Sequence, residues 1–127
     1  MADYTPIYDG GAEPFTQTTS GAVTGGQVLV ASGVDTVAAA GAGSAVVVGI
    51  AAFDAASGAK VAVWPIANCI HEITTTGTVT ALDGVITAAT GTVGTAVVAT
   101  AAAAGQLIGI ALNTKTTGLK VKFIGRY

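Results

Sequence analysis

Apolar and polar residues alternate in the same way along two stretches of the chain, residues 46–66 and 106–125. Each stretch has an apolar run, a polar turn with glycine and a run in which every second residue is apolar, which is the pattern of a β-hairpin. The second matches the first at a constant offset without a gap. The matches pair Gly49 with Gly109, Ile50 with Ile110, Ala51 with Ala111, Gly58 with Gly118, Lys60 with Lys120 and Val61 with Val121. We therefore predict two equivalent hairpins, with Ile50 and Ile110 in equivalent core positions.

The alternation also assigns faces, because successive strand residues point to opposite sides of a sheet. Leu119, Val121 and Phe123 are expected to point inward, between outward lysines. The same count places Trp64 on the outer face of the first hairpin. A large ring gains from burial, so we predict that Trp64 lies at a subunit interface, unless the strand bends at Pro65 and returns the ring to its own core.

Composition favours an all-β domain. Thr and Val suit strands, and only 9% of the 127 residues are charged, so the long charged helix formers are scarce. We predict a compact β-barrel or sandwich over residues 21–127, built from two tandem hairpin-containing repeats at about 21–66 and 77–125. A weaker echo of residues 22–29 follows at 78–86 if one residue is inserted, and the uncharged stretch 96–112 is interpreted as a loop and a strand.

The first twenty residues differ from the rest, because prolines and a glycine pair interrupt any regular pattern. We predict an extended N-terminal arm over residues 1–20 that orders against the partner it binds. The alternative is an irregular edge strand folded onto the body. The predicted contact residues, on a capsid or a neighbouring protomer, are Tyr4, Ile7, Tyr8, Phe15 and Trp64.

Few residues suggest chemistry. The net charge of −2 lacks the basic excess that nucleic-acid binding requires, and neither a membrane helix nor a signal peptide is predicted. His71 beside Glu72 has no nucleophile in a recognisable context, and together with Cys69 they fall short of a zinc ligand set. We expect no enzyme activity, no metal and no cofactor, and we expect Cys69 to be a small buried residue.

Three segments carry a family resemblance: AVTGGQVLVASG at 22–33, AVVVGIAAFDAASGAKVAVW at 45–64 and GQLIGIALNTKTTGLKVKFIG at 105–125. With these, the chain resembles the small head-decoration, or capsid cement, proteins of tailed bacteriophages. The resemblance implies a β domain, usually a homotrimer, that binds the outer surface of the capsid in the virion and clamps neighbouring subunits of the major capsid protein. The second half departs from the family pattern where Val85-Ile86-Thr87 stands in place of an aromatic pair.

A carbohydrate-binding or adhesive β module on a virion or cell surface is the alternative function. Such modules bind sugars on exposed aromatic rings, and the sequence offers Trp64 with Lys60 as the candidate patch. Glycan binding by the isolated protein would favour the adhesive module, and co-sedimentation with capsids would favour cement.

Overall fold

A computed structural model describes residues 3–126 of the chain. It is an all-β fold with ten strands within that range. The strands are β1 (Phe15–Thr19), β2 (Val28–Gly33), β3 (Thr36–Ala39), β4 (Val47–Ala51), β5 (Lys60–Trp64), β6 (Ile70–Thr74), β7 (Gly84–Thr87), β8 (Val93–Ala96), β9 (Gly109–Ala111) and β10 (Lys120–Gly125). A short helix α1 (Val98–Ala103) separates β8 from β9, and a 3-10 turn (Ala89–Gly91) separates β7 from β8. The all-β prediction is confirmed.

Strands β1 to β5, here called the first half, close into a small barrel in the order β1-β3-β2-β4-β5. The parallel pair of β1 with β3 and the antiparallel pair of β1 with β5 complete the circle. Six buried side chains fill its interior: Val23, Leu29, Val37, Ala51, Val61 and Val63. Both faces of β4 are covered at its C-terminal end, since Gly49, Ile50 and Ala51 are all buried.

Strands β6 to β10, here called the second half, form a sheet in the order β6-β10-β9-β7-β8. Its registers correspond to those of the first half. The pair of Ile50 with Trp64 recurs as Ile110 with Ile124, at the offset found between the two hairpins in the sequence. The pair of Leu29 with Ala39 recurs as Val85 with Thr95, at a slightly smaller offset. A parallel bridge from Thr75 to Val93 joins the two outer strands of this sheet, as the pair of Thr19 with Val37 does in the barrel.

Hydrogen bonds outside the strands correspond in the same way. Thr19 Oγ1 donates to Ala56 O at 2.6 Å, and Thr75 Oγ1 donates to Thr116 O at 2.7 Å. The two donors differ by the smaller offset, which relates β2 and β3 to β7 and β8, and the two acceptors differ by the larger offset, which relates the hairpins. The connection from β8 to β9 is therefore longer than the connection from β3 to β4. The added length lies in the segment that contains α1, which was predicted as a loop.

The weaker sequence echo therefore needs no inserted residue. Val23 bridges to Ala55 and Val79 to Lys115, while Val28 pairs with Ile50 and Gly84 with Ile110. Val23 and Val79 occupy equivalent positions, as do Val28 and Gly84, and the same offset separates the two residues in each case. The difference in length occurs after β8, not before β7.

The two halves share a core that is asymmetric. The second half's interior residues Val79, Val85, Val93, Ala111, Val121 and Phe123 cluster with buried residues from the outer face of the first-half barrel. That outer row contains Val28 and Ile50, both fully buried, and the partly buried Trp64. Their counterparts in the second half are Gly84, Ile110 and Ile124, and Ile124 is exposed. Ile50 and Ile110 are therefore equivalent in register but differ in burial.

Two further expectations differ from the structure. β1 starts at Phe15, inside the segment predicted as an arm, because no proline or glycine occurs between Pro14 and the end of that strand. Leu119 was expected to point inward, but it is exposed because it lies in the turn before β10, where its N–H donates to Thr116 O.

Candidate contact surface

The N-terminal segment is fixed to the body of its own chain at Tyr4. The Tyr4 N–H donates to Ala52 O at 2.7 Å, and the Tyr4 Oη lies 2.6 Å from His71 Nδ1. The Glu72 N–H donates to the same phenol oxygen at 3.3 Å. The Tyr4 ring also stacks on the His71 ring, with centroids 5.8 Å apart. Tyr4 thus connects the arm to the first residues of β6.

The partners of His71 determine its tautomer. Its Nε2 lies 2.9 Å from Pro65 O, and a carbonyl oxygen only accepts, so Nε2 carries the proton. Nδ1 of a neutral imidazole then accepts from the Tyr4 hydroxyl. His71 is fully buried, and that burial lowers its pKa even though the hydrogen bond to Pro65 acts in the opposite direction. Burial likewise raises the pKa of Tyr4. Both groups are therefore neutral at neutral pH.

Tyr4→Phe is expected to lower the free energy of unfolding by about 1–3 kcal/mol, because it leaves His71 Nδ1 buried without its donor. Chemical denaturation followed by tryptophan fluorescence measures the loss. Tyr8→Phe is the matched control, since Tyr8 is 58% exposed, and it should change stability by less than about 0.5 kcal/mol. Equal stability of the two variants would mean that the Tyr4 hydroxyl does not anchor the arm.

Trp64 lies on the outer face of the barrel, as the alternation predicts, and the same chain covers it. The ring packs against the shared core, and its Nε1 donates to Tyr4 O at 3.3 Å. Trp64 remains in β5 opposite Ile50, so no bend at Pro65 is needed to bury it. The second half and the arm supply the apolar contact that a subunit interface was invoked to provide.

The rest of the arm lies along the start of β6. Ile7 donates its N–H to Ile70 O at 2.9 Å, and Ile70 donates to Tyr8 O at 2.8 Å. The buried Cys69 donates its thiol to Asp9 O at 3.4 Å. The expectation that Cys69 is a small buried residue is confirmed. The alternative interpretation of the arm, folded onto the body, describes residues 3–12 better than a free segment does.

An exposed apolar row runs from the arm across the second half. Tyr8 bridges to Ile70, Ile70 pairs with Ile124, and Ile124 pairs with Ile110. Directly paired residues of antiparallel strands have side chains on the same face. Tyr8 and Ile124 are exposed, Ile70 and Ile110 are half-buried, and the neighbouring Ile7 is 52% exposed. We call these five residues the Tyr8–Ile110 row.

The row unites some of the predicted contact residues and separates others. Ile7 and Tyr8 belong to it, whereas Tyr4 and Trp64 are partly buried against the shared core. Phe15 pairs with Val63 in the barrel and remains 39% exposed. Ile124 was missed at the sequence level, although the alternation that points Lys120 and Lys122 outward places it on the same face. Val34, Leu82 and Val97 were also missed, and each is more than 70% exposed.

His71, Glu72 and Cys69 offer little for catalysis or metal binding in the structure. Both ring nitrogens of His71 are occupied by Tyr4 and Pro65, so this ring is unavailable as a base. Within residues 3–126 no group of three or more His, Cys, Asp or Glu side chains could hold a metal ion. No helix in that part of the chain has the length and apolar character needed to cross a bilayer.

Comparison with known proteins adds a likeness in fold. No protein-family model matches the chain, and no curated protein matches it. Among solved structures, the fold is similar to the head fiber gp8.5 N base of bacteriophage phi29, with a TM-score of 0.66. The match covers 89% of this chain and 92% of that chain at 17% sequence identity. At this low identity, the likeness establishes a shared fold that extends over nearly the whole of both chains.

Proposed function

We propose that this protein is a non-enzymatic structural protein of a tailed-phage virion. In this proposal it binds the outer surface of the capsid as a homotrimer and clamps neighbouring subunits of the major capsid protein, without contacting nucleic acid or membrane. The observation that carries the proposal is the likeness in fold to a phage head fiber base over 89% of the chain. The capsid-clamping role in this proposal comes from the sequence resemblance to capsid cement proteins.

The Tyr8–Ile110 row is the surface that we assign to the capsid. Exposed apolar side chains that lie together on a soluble protein mark interaction sites. The row is held in place before binding, because Ile7 and Tyr8 are already bonded to β6. A preformed surface loses less conformational entropy on binding than a segment that must order at that moment. We therefore assign capsid contact to a fixed arm rather than to a mobile one.

Co-sedimentation of the purified protein with capsids assembled without it tests this function. Wild-type protein should bind at a fixed number of copies per capsid and raise the melting temperature of the shell. The double variant Ile7→Asp with Tyr8→Asp should lose at least tenfold in affinity, because carboxylates cannot be buried in an apolar contact without a large desolvation cost.

Leu119→Asp is the control for that experiment. Leu119 is 53% exposed, much like Ile7, but it lies in the turn before β10 and outside the row. The Leu119→Asp variant should bind capsids with the same affinity as the wild type. Failure of the wild-type protein to bind capsids would contradict the proposed function. Binding without a rise in the melting temperature of the shell would support decoration of the capsid but contradict the clamping of its subunits.

The alternative of a carbohydrate-binding module gains no support from the position of Trp64. Sugar-binding rings present a free face to solvent, and this ring packs on the shared core with its Nε1 bonded to the arm. Binding on a glycan array by the isolated protein would restore that alternative.

A further inference from the structure

The contact between the two halves contains a turn from one half and a receiving site on the other. The turn is Thr90–Gly91, between β7 and β8. The Gly91 N–H donates to Ala40 O at 2.8 Å, and Gln27 Nε2 donates to Thr90 O at 3.2 Å. A Cβ on Gly91 would lie 2.6 Å from Gln27 Cβ, so the turn is seated closely against the first half.

Each side of this contact has a counterpart that the chain leaves free. The register that relates β2 and β3 to β7 and β8 also relates Thr90 and Gly91 to Val34 and Asp35, at the tip of the turn between β2 and β3. The turn of the second half is seated against the first half, whereas the turn at the corresponding position of the first half is exposed. Val34 is 92% exposed, the highest value among the exposed large apolar residues of the described chain. The first half therefore presents an apolar tip that no residue between positions 3 and 126 covers.

The receiving site also recurs. Gln27 and Ala40, which receive the turn on the first half, correspond in the same register to Asp83 and Ala96 on the second. Asp83 and Ala96 line a surface depression together with Leu82, Val97 and Val98. Leu82 is 81% exposed and Val97 is 71% exposed. The second half thus has an open apolar depression at the position where the first half receives a turn.

From these two free counterparts we infer that copies of this chain associate head to tail, with the Val34–Asp35 turn of one copy seated in the Leu82–Val98 depression of the next. The contact repeats between molecules an arrangement that the chain already makes within itself. It joins different surfaces of the two copies and is therefore heterologous. Heterologous contacts close into rings, and a trimer requires one, because a two-fold contact between identical surfaces produces dimers.

The seating within the chain and the proposed seating between copies differ in chemistry. Thr90–Gly91 binds through its own backbone groups, which donate to Ala40 O and accept from Gln27 Nε2, whereas Val34 would bury an apolar side chain among Leu82, Val97 and Val98. The helix α1 explains why the second site is more apolar. Val98 begins α1, which lies over Gly84, where an added Cβ would be 3.3 Å from Val98 Cα. Asp83, at the edge of the depression, already accepts hydrogen bonds from Thr95 Oγ1 and Thr80 N.

The distribution of charge favours the same partner. Residues 1–66 carry five acidic and one basic side chain, a net charge of −4. Residues 67–127 carry two acidic and four basic side chains, a net charge of +2, which together give the −2 of the whole chain. The attraction between the acidic half of one copy and the basic half of the next acts at long range, because the contact itself brings Asp35 of one copy to a depression that Asp83 of the next lines and that no basic residue lines. Such complementarity raises the rate of productive encounters and disfavours contacts between like halves.

The inference deepens the self-association included in the proposed function, and its test uses isolated protein without capsids. Sedimentation velocity is measured on the wild type, on Val34→Asp, on Val97→Asp and on the control Leu119→Asp. Both substituted positions are exposed, and Val97 is the N-cap residue of α1, where Asp is favourable, so folding should be retained. Val34→Asp and Val97→Asp, each measured alone, should self-associate at least tenfold more weakly than the wild type and than Leu119→Asp.

Mixing the two variants provides the decisive measurement. Val34→Asp retains the depression and Val97→Asp retains the turn, so a mixture has one intact contact and should form a one-to-one dimer and nothing larger. In a second mixture, Val34→Cys and Val97→Cys should form the mixed disulfide in preference to either symmetric one.

A wild-type protein that stays monomeric, a Val34→Asp variant that associates normally, or a preference for symmetric disulfides would each overturn the inference. A monomeric wild type would also remove the homotrimer from the proposed function. None of these results bears on whether the protein binds capsids, so capsid binding and the head-to-tail contact can fail separately.

Discussion

Gly49→Ala and Gly109→Ala are each expected to destabilise the fold by about 3 kcal/mol, the upper part of the usual range for over-packing. A Cβ on Gly109 would lie 2.5 Å from Ile124 O and 2.6 Å from Phe123 Cδ2. A Cβ on Gly49 would meet the equivalent atoms, Trp64 O and Val63 Cγ1. Because one neighbour in each case is a backbone carbonyl of the paired strand, relief requires the hairpin strands to separate. Thermal unfolding should show a fall in melting temperature of roughly 10 °C for each variant.

Gly21→Ala is the control for these two substitutions. A Cβ there would meet no atom within 4 Å, and Gly21 does not have the positive φ that favours glycine. Its stability should lie within about 0.5 kcal/mol of the wild type. If Gly109→Ala were as stable as Gly21→Ala, the close approach of β9 to β10 would not exist in solution.

The second large effect is a loss of stability in mild acid that depends on His71. Burial lowers the pKa of His71 in the folded protein below its value in the unfolded chain. The unfolded chain therefore binds more protons, so stability is fully present above the ordinary histidine pKa of about 6.5 and falls as pH decreases from there toward the folded pKa. The slope can reach about 1.4 kcal/mol per pH unit for one proton. Protonation would also place a hydrogen on Nδ1, where the Tyr4 hydroxyl now donates.

Urea denaturation between pH 7 and pH 5 measures this dependence, and His71→Gln provides the comparison. Glutamine does not titrate, so the variant should be less stable at pH 7 but should lose little further stability down to pH 5. Restriction to this range separates the histidine from the carboxylates, whose ordinary pKa values lie near 4. Parallel pH profiles for wild type and variant would show that His71 is not the group responsible.

The hairpins were predictable because their signal is local. Period-two alternation and the matched glycines of the two hairpins can be recognised from neighbouring residues alone. β1 and β3 were not predicted, because the barrel that contains them is closed by a parallel pairing between distant segments. The alanine-rich segment that holds α1 gave no strong preference, and the packing of α1 over Gly84 stabilises it there.

The candidate contact surface was less predictable than the fold, because the burial of a residue depends on which face of its sheet meets the other half. Trp64 and Ile124 occupy equivalent positions in register, yet one is covered and the other is exposed. No pattern within either hairpin distinguishes them. The hydrogen bond that anchors Tyr4 could not be predicted from the sequence either, since its acceptor is the Nδ1 atom of a histidine 67 residues away.

The position of Cys69 allows detachment of the arm to be measured through the reactivity of a native thiol. It is the single cysteine, it is buried under the arm, and its thiol is bonded to Asp9 O. Burial and the nearby Asp9 raise the pKa of this thiol, so both access and thiolate formation are suppressed while the arm is in place. The rate at which a thiol reagent modifies the native protein therefore measures how often residues 3–12 detach. Divided by the rate for an unfolded chain, it gives the equilibrium constant for detachment alone, distinct from that of global unfolding.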